Sequence, residues 1–135
     1  MAGQKTVRLW LPRGRELTSN GRYHWAERAR RSRQIRWTAA LEARQAGLQP
    51  APGPVAVMVT VTYPRHGRHD PENYAPSWKP AIDGLVDAGV LPDDDSRHVV
   101  QVACRADPRT VREACGRPSG HLLTITLTPA QEDAS

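Results

Sequence analysis

The residues best suited to chemistry are seven carboxylic acids between positions 70 and 95, where Lys79 is the one basic residue. Asp70 and Glu72 form one group, and a run of three aspartates at 93–95 forms another. Mg²⁺ prefers oxygen ligands, usually a few carboxylates with waters and substrate phosphate. Because such an ion activates water and neutralises charge on phosphorus, the pattern indicates metal-assisted phosphodiester hydrolysis.

The same residues also suit ordinary turns and surface pairs. Asp-Pro-Glu-Asn at 70–73 is a good turn sequence, and a run of aspartates after Pro92 is typical of a solvated loop. On a helix, Lys79 shares a face with Asp83 four residues later, which allows a surface ion pair. Beside a phosphate, its ammonium would instead stabilise transition-state charge. Spacing alone leaves both interpretations open.

Charge is divided along the chain. Residues 1–50 contain eleven Lys or Arg against three Asp or Glu, while the net charge of the whole chain is +5. A basic half beside an acidic cluster indicates a polyanion on one surface and cations at another, although uneven surface patches would give the same count. The arginines expected to contact phosphates are Arg13, Arg15, Arg22, Arg28, Arg31 and Arg68.

Alternating hydrophobicity predicts the strands that must position these groups. Residues 6–11 and 55–63 alternate apolar and polar side chains, and the second run is rich in valine. Residues 99–104 and 122–128 predict two further strands, with a loop or short helix around 110–115 between them.

Two helices are predicted from composition and from start and stop residues. Residues 23–46 contain no Pro or Gly and favour a long helix that ends before Gly47. Ser77 is expected to cap a second helix that runs to about residue 88, with Pro80 in its first turn and Gly89 after its end.

The element order β-α-β-α-β-β predicts one α+β domain spanning 1–135, with helices packed on a small mixed sheet and a polar tail at 129–135. No apolar run has the length of a membrane span, and no secretory signal is visible at the start. Cys104 and Cys115 are too few for a disulfide framework. These features favour a cytoplasmic protein with no membrane partner.

Other candidate groups carry less weight. A zinc site from His66, His69, Cys104 and Cys115 matches no common ligand spacing. The sequence contains no glycine-rich phosphate loop, so no nucleotide cofactor is expected. His98 and His121 are interpreted as surface or hydrogen-bonded histidines rather than catalytic bases. Core or dimer-interface positions, rather than base stacking, are expected for Trp25, Trp37 and Trp78.

Taken together, these motifs resemble the RusA-type Holliday-junction resolvases. The matching parts are Asp-Pro-Glu-Asn at 70–73, Lys79, Asp-Gly-Leu at 83–85 and the aspartate run at 93–95 ahead of a strand. Upstream, Ser-Asn-Gly-Arg-Tyr at 19–23 resembles the family's loop before its first helix. The resemblance covers nearly the whole chain in the same element order.

The resemblance implies a role for each matching residue. Asp70, Glu72 and Asp94 would bind Mg²⁺, with Mn²⁺ as a substitute, and Lys79 would be the catalytic lysine. Asp95 is the second choice in the aspartate run, because Asp94 fits the count from Asp83 whereas Asp95 better matches the residues that follow. Supporting positions would be Asn73, Asp83 and Asp93.

Members of that family are homodimers that nick two strands of a four-way DNA junction symmetrically. The resemblance therefore implies branched DNA as substrate, a second copy as partner, and a bacterial or phage origin. Two rival interpretations stay open: a junction-binding protein of the same fold with weakened chemistry, and a non-enzymatic oligomerisation or regulatory domain whose acidic loops are solvated turns.

Overall fold

A computed structural model describes residues 3–130 and is built around one four-stranded sheet. Its strands are β1 (Lys5–Leu11), β2 (Val55–Tyr63), β3 (Val99–Thr110) and β4 (His121–Pro129), arranged in the order β1-β4-β2-β3. β4 pairs antiparallel with both β1 and β2, whereas β2 and β3 run parallel. The predicted mixed sheet is therefore confirmed.

One face of the sheet forms the core. Val57, Val59 and Val61 of β2 are buried, and Val59 lies opposite the buried Ile125 of β4. Each fully buried side chain of this kind contributes about 1.5–3 kcal/mol to folding. Threonines alternate with these residues along β2 and β4, so the sequence period of two separates an apolar face from a polar one.

Helices cover the apolar face. α1 (Trp25–Gln45) buries a stripe of small residues, including Ala39 and Ala43, and packs against α2 (Ala75–Asp87). A short α3 (Val111–Cys115) follows β3 and begins with a capping box on Thr110. The predicted helix–sheet arrangement and element order are confirmed, and no helix within residues 3–130 is long and apolar enough to cross a membrane.

The start of α2 differs from its prediction. Asp70 caps a 3-10 turn (Pro71–Tyr74), so helical winding is already under way when α2 begins at Ala75. Ser77 is consequently not a cap: it is buried, its Oγ accepts from the Leu17 amide at 2.7 Å, and it donates to the Leu17 carbonyl at 2.7 Å. Pro80 lies in the helix interior rather than in the first turn.

Three other expectations change at the surface. Trp25 is 77% exposed and Trp37 is 65% exposed, so neither belongs to the core of this chain, whereas Trp78 at 9% does. β3 ends at Thr110, six residues beyond its predicted end at residue 104, and Thr110 still pairs with Tyr63. The pattern missed these residues because an edge strand does not need the apolar alternation of a central strand. Of the predicted tail at 129–135, Pro129 is instead the last residue of β4, and residues 131–135 lie outside the described range.

Candidate functional site

The first two predicted acids share one hydrogen-bonded turn after β2. Asp70 Oδ1 accepts a hydrogen bond from the Glu72 amide at 3.1 Å, and the Asp70 carbonyl accepts from the Asn73 amide at 3.1 Å. The Asn73 carbonyl in turn accepts from the Ser19 amide at 2.8 Å, which ties the turn to the first loop. Both carboxylates are exposed. The turn therefore holds Asp70 and Glu72 as an accessible pair.

This pair lies beside the middle of β3. Burial, and then the negative charges of Glu72 and Asp70, raise the pKa of the Cys104 thiol. Cys104 pairs with Val59 in the parallel ladder, five residues beyond the start of β3 at Val99. At about 3.3 Å per residue, Cys104 and the Asp70–Glu72 turn beside it are roughly 16 Å along the strand from the start of β3.

The aspartate run belongs to the opposite end of β3. The Asp95 carbonyl accepts hydrogen bonds from the His98 and Val99 amides at 3.0 and 2.8 Å. The Asp95 carboxylate accepts from the Arg97 guanidinium at 3.1 Å and lies 2.7 Å from His98 Nδ1. The hydrogen bond from Arg97 is the largest of the contacts that lower the pKa of Asp95, and burial acts in the opposite direction. The Asp95 carboxylate is therefore already engaged in holding the loop, and Asp93 similarly accepts from the Asp94 amide at 2.7 Å.

Asp94 instead faces α2. Burial, followed by the nearby Asp94 carboxylate, raises the pKa of Asp83. A second carboxylate nearby disfavours ionisation of the first, so this raised pKa is consistent with the two side chains lying close together. The neighbouring Arg36 is held by Asp87 through bonds of 2.6 and 2.8 Å, so it lies close to the pair while remaining bound to another acid.

Lys79 lies one turn before Asp83 on the same helix, a step of about 6 Å along the axis. Its side chain is exposed, and none of the ion pairs within residues 3–130 includes it. The surface pair with Asp83 that spacing allowed is thus not formed. Lys79 and Asp83 line a cavity of about 430 Å³ together with Arg28 of α1.

The predicted metal ligands do not meet in one group. Across the described part of the chain, no three His, Cys, Asp or Glu side chains come together in a way that would hold a metal ion. Because β2 and β3 are parallel, the loop after one strand and the loop before the other lie at opposite ends of the ladder. Two carboxylate pairs remain, Asp70 with Glu72 and Asp83 with Asp94. The usual protein ligands of Mg²⁺ are one or two carboxylates, and water and substrate phosphate complete its coordination. Each pair fits that donor chemistry.

Aromatic residues beside Asp70 were not identified from the sequence. Tyr63 stacks on His69 with ring centroids 3.7 Å apart, and the Tyr74 hydroxyl lies 2.9 Å from His121 Nε2. These four side chains and Asp70 line a cavity of about 360 Å³. Tyr63 Oη and His121 Nδ1 are buried and find no partner among residues 3–130. His121 is thus only half satisfied, and no spacing in the sequence connects it to Asp70.

The six predicted phosphate-contacting arginines divide into free and engaged groups. Arg31 donates to Glu27 at 2.7 Å and to the Glu16 carbonyl at 2.8 Å, so its guanidinium mainly holds the first loop against α1. Arg15 makes a single 3.3 Å contact with Gln34. Side chains that are exposed and form no ion pair within the described residues are Arg13, Arg22, Arg28 and Arg68.

Comparison with known proteins gives one relationship. No model of a known protein family matches the chain. A protein from Xylella fastidiosa (strain Temecula1 / ATCC 700964), described as an uncharacterized protein, is 31% identical over 137 residues, covering 90% of this chain and 90% of that protein. The chain belongs to the same family as this Xylella fastidiosa protein.

Proposed function

We propose that this chain is a Mg²⁺-dependent endonuclease that nicks branched DNA, as the RusA-type resolvases do. The observation that carries the proposal is the grouping at α2: Lys79, which forms no ion pair within residues 3–130, shares a cavity with Asp83, and Asp83 faces Asp94. A free ammonium beside paired carboxylates suits phosphodiester chemistry, because the acids can hold a cation while the lysine contacts the phosphate.

Each residue has a defined task in hydrolysis. The Lys79 ammonium contacts a non-bridging oxygen of the scissile phosphate and stabilises the charge of the pentacovalent transition state. Arg28, on the same cavity, orients the strand through a neighbouring phosphate. Mg²⁺ held by Asp83 and Asp94, the pair beside Lys79, would activate the attacking water, and the Asp70–Glu72 turn would hold a separate ion. Water adds to phosphorus and the 3′-oxygen leaves, which yields 5′-phosphate and 3′-hydroxyl ends.

The symmetry of the substrate favours a homodimer. A four-way junction has an approximate two-fold axis, and two copies related by such an axis place one site on each of two strands. A protein with this substrate would act in the cytoplasm of a bacterium, or in one infected by a phage.

The test is cleavage of a synthetic four-way junction by the full chain with and without Mg²⁺. Asp70→Asn and Asp94→Asn are each expected to reduce the single-turnover rate at least about 100-fold, the scale of losing a metal ligand or its support. Glu42→Gln, which removes an acid from α1 outside the site, is the matched control and should leave the rate unchanged. If both aspartate variants cleave at the parent rate, the assignment is wrong.

Asp95→Asn separates metal ligation from loop structure. Since the Asp95 carboxylate already accepts from Arg97, its loss should lower thermal stability while the Mg²⁺ concentration for half-maximal cleavage stays the same. A large rise in that concentration would instead identify Asp95 as a ligand.

One observation favours a second candidate, a junction-binding protein without nuclease activity. Within residues 3–130 the acids form pairs rather than a group of three. Such an arrangement is expected of a protein that has kept the fold and lost the metal site needed for cleavage. This candidate predicts salt-sensitive junction binding with no cleavage in Mg²⁺ or Mn²⁺, so the same assay distinguishes the two functions.

A further inference from the structure

The sheet face opposite α1 and α2, here named the open face, carries threonines in register on neighbouring strands. Thr6 of β1 lies opposite Thr126 of β4, and Thr124 of β4 lies opposite Thr60 of β2. On β1 and β4 these threonines alternate with buried residues, so Thr6, Thr124 and Thr126 lie on the side away from the core, whereas Thr60 of β2 is itself only 8% exposed. The open face lines a groove of about 830 Å³.

Arginines border this groove. Arg8 of β1 lies opposite Thr124 of β4, and Arg105 of β3 lies opposite Thr60 of β2. Arg105 Nε donates to Thr60 Oγ1 at 3.0 Å, which orients the guanidinium on the sheet and leaves its two terminal nitrogens without a partner among residues 3–130. Arg8 is exposed and makes no side-chain hydrogen bond in the same part of the structure.

Asp107, the one acid that lines the groove in the part of the chain that the structure describes, does not cancel this charge. The Asp107 side chain is only 6% exposed, and its carboxylate accepts from the Thr62 hydroxyl at 2.9 Å and from the Arg109 guanidinium at 3.0 Å. Although burial acts in the opposite direction, these hydrogen bonds lower the pKa of Asp107. Asp107 and Arg109 therefore neutralise each other, and Arg8 and Arg105 leave the groove positively charged.

We propose that the open face binds the phosphodiester backbone of nucleic acid. Guanidinium groups and threonine hydroxyls are among the side-chain donors that contact phosphate oxygens, and the groove presents both with no competing free carboxylate among residues 3–130. A second copy of the chain fits less well, because a two-fold contact through this face would bring two positively charged surfaces together.

The inference deepens the proposed function, on which it rests for the choice of a branched substrate. The open face and the cavity that contains Lys79 lie on opposite sides of the sheet. A single straight duplex seated at Lys79 cannot also cover the open face, whereas a four-way junction offers a second, diverging arm. The open face therefore favours branched over linear DNA.

The experiment measures binding of a labelled four-way junction, and of a linear duplex of equal length, by the full chain over a range of salt concentrations. Replacing both Arg8 and Arg105 by Ala should reduce the slope of log affinity against log salt by roughly two for the junction, since each lost phosphate contact removes about one. Binding of the linear duplex should change much less. Arg8→Lys with Arg105→Lys preserves the charge and should retain most of the slope.

Arg33→Ala with Arg44→Ala removes the same charge from α1 and is the matched control. An unchanged junction slope in the Arg8/Arg105 double alanine variant, with a melting temperature like that of the parent, overturns the inference while leaving the cleavage proposal intact. Loss of dimerisation in that variant with unchanged DNA binding overturns it in favour of a second copy on this face. If the variants show the predicted slope changes but the parent chain does not cleave DNA, the result supports binding by the open face and refutes the nuclease.

Discussion

Replacing Gly84 by alanine tests how closely α1 and α2 approach. A Cβ at position 84 would lie 2.3 Å from the Arg36 carbonyl oxygen and 2.8 Å from the Ala39 Cβ. Helix propensity alone predicts that Gly→Ala stabilises a helix interior by about 1 kcal/mol. The overlap involves backbone atoms, which no change of rotamer relieves, so the two helices must separate.

Steric overlap should outweigh propensity here. Overpacking a core typically costs about 1–3 kcal/mol, and contact with backbone falls at or above the upper end. After the propensity gain is subtracted, Gly84→Ala should lower the free energy of unfolding by roughly 2 kcal/mol. For a domain of this size, that loss lowers the melting temperature by roughly 6 °C. Asp83 precedes Gly84, so displacement of α2 should also reduce cleavage.

Thermal denaturation followed by circular dichroism is the assay. Gly53→Ala is the control, because Gly53 has no atom within 4 Å of an added Cβ, and its stability should change by less than about 0.5 kcal/mol. A Gly84→Ala variant that melts above the parent would refute the close helix contact, since propensity would then be the only effect present.

Three further substitutions test individual contacts. Ser77→Ala should lower the free energy of unfolding by about 2 kcal/mol, because it leaves the buried Leu17 amide and carbonyl without partners; a loss below about 0.5 kcal/mol in urea denaturation would contradict this. Tyr63→Phe removes a buried hydroxyl that lacks a partner in residues 3–130 and should be neutral or stabilising by up to about 1 kcal/mol, whereas clear destabilisation would show that the hydroxyl is bonded. The folded state lowers the pKa of Asp107, so this carboxylate stabilises the fold above its unfolded pKa and the benefit disappears as the pH falls through the folded value. Asp107→Asn should therefore lower stability at pH 7 and converge with the parent in acid, as measured by unfolding at several pH values, and a difference independent of pH would refute the ionic role of the Arg109 contact.

The sequence predicts those parts of the fold that local patterns determine. The valine alternation of β2 follows from one buried face, and the long uninterrupted run from Trp25 has the composition of a helix. The start of α2 was predicted wrongly because Ser77 has the residue type of a cap, while its partner Leu17 is 60 residues away. No local pattern reports a contact at that separation.

The candidate site was predictable as a set of residue types and not as an arrangement. Nothing local determines that β3 runs parallel to β2, yet this pairing separates Asp70 from Asp95. Similarly, the proximity of Asp83 to Asp94 depends on how the loop before β3 folds back on α2. The type of Lys79 identifies it in the sequence, whereas only the structure shows that it has no ion-pair partner among residues 3–130.

Single-turnover cleavage of a synthetic four-way junction by the full chain, measured across Mg²⁺ concentrations and repeated with Lys79→Ala, tests the central claim most directly. We predict symmetric nicks with 5′-phosphate ends that require Mg²⁺, and a rate that falls at least about 100-fold without the lysine while junction affinity changes little. A parent chain that binds the junction without cleaving it in Mg²⁺ or Mn²⁺, or a Lys79→Ala variant that cleaves at the parent rate, would contradict the proposed nuclease site.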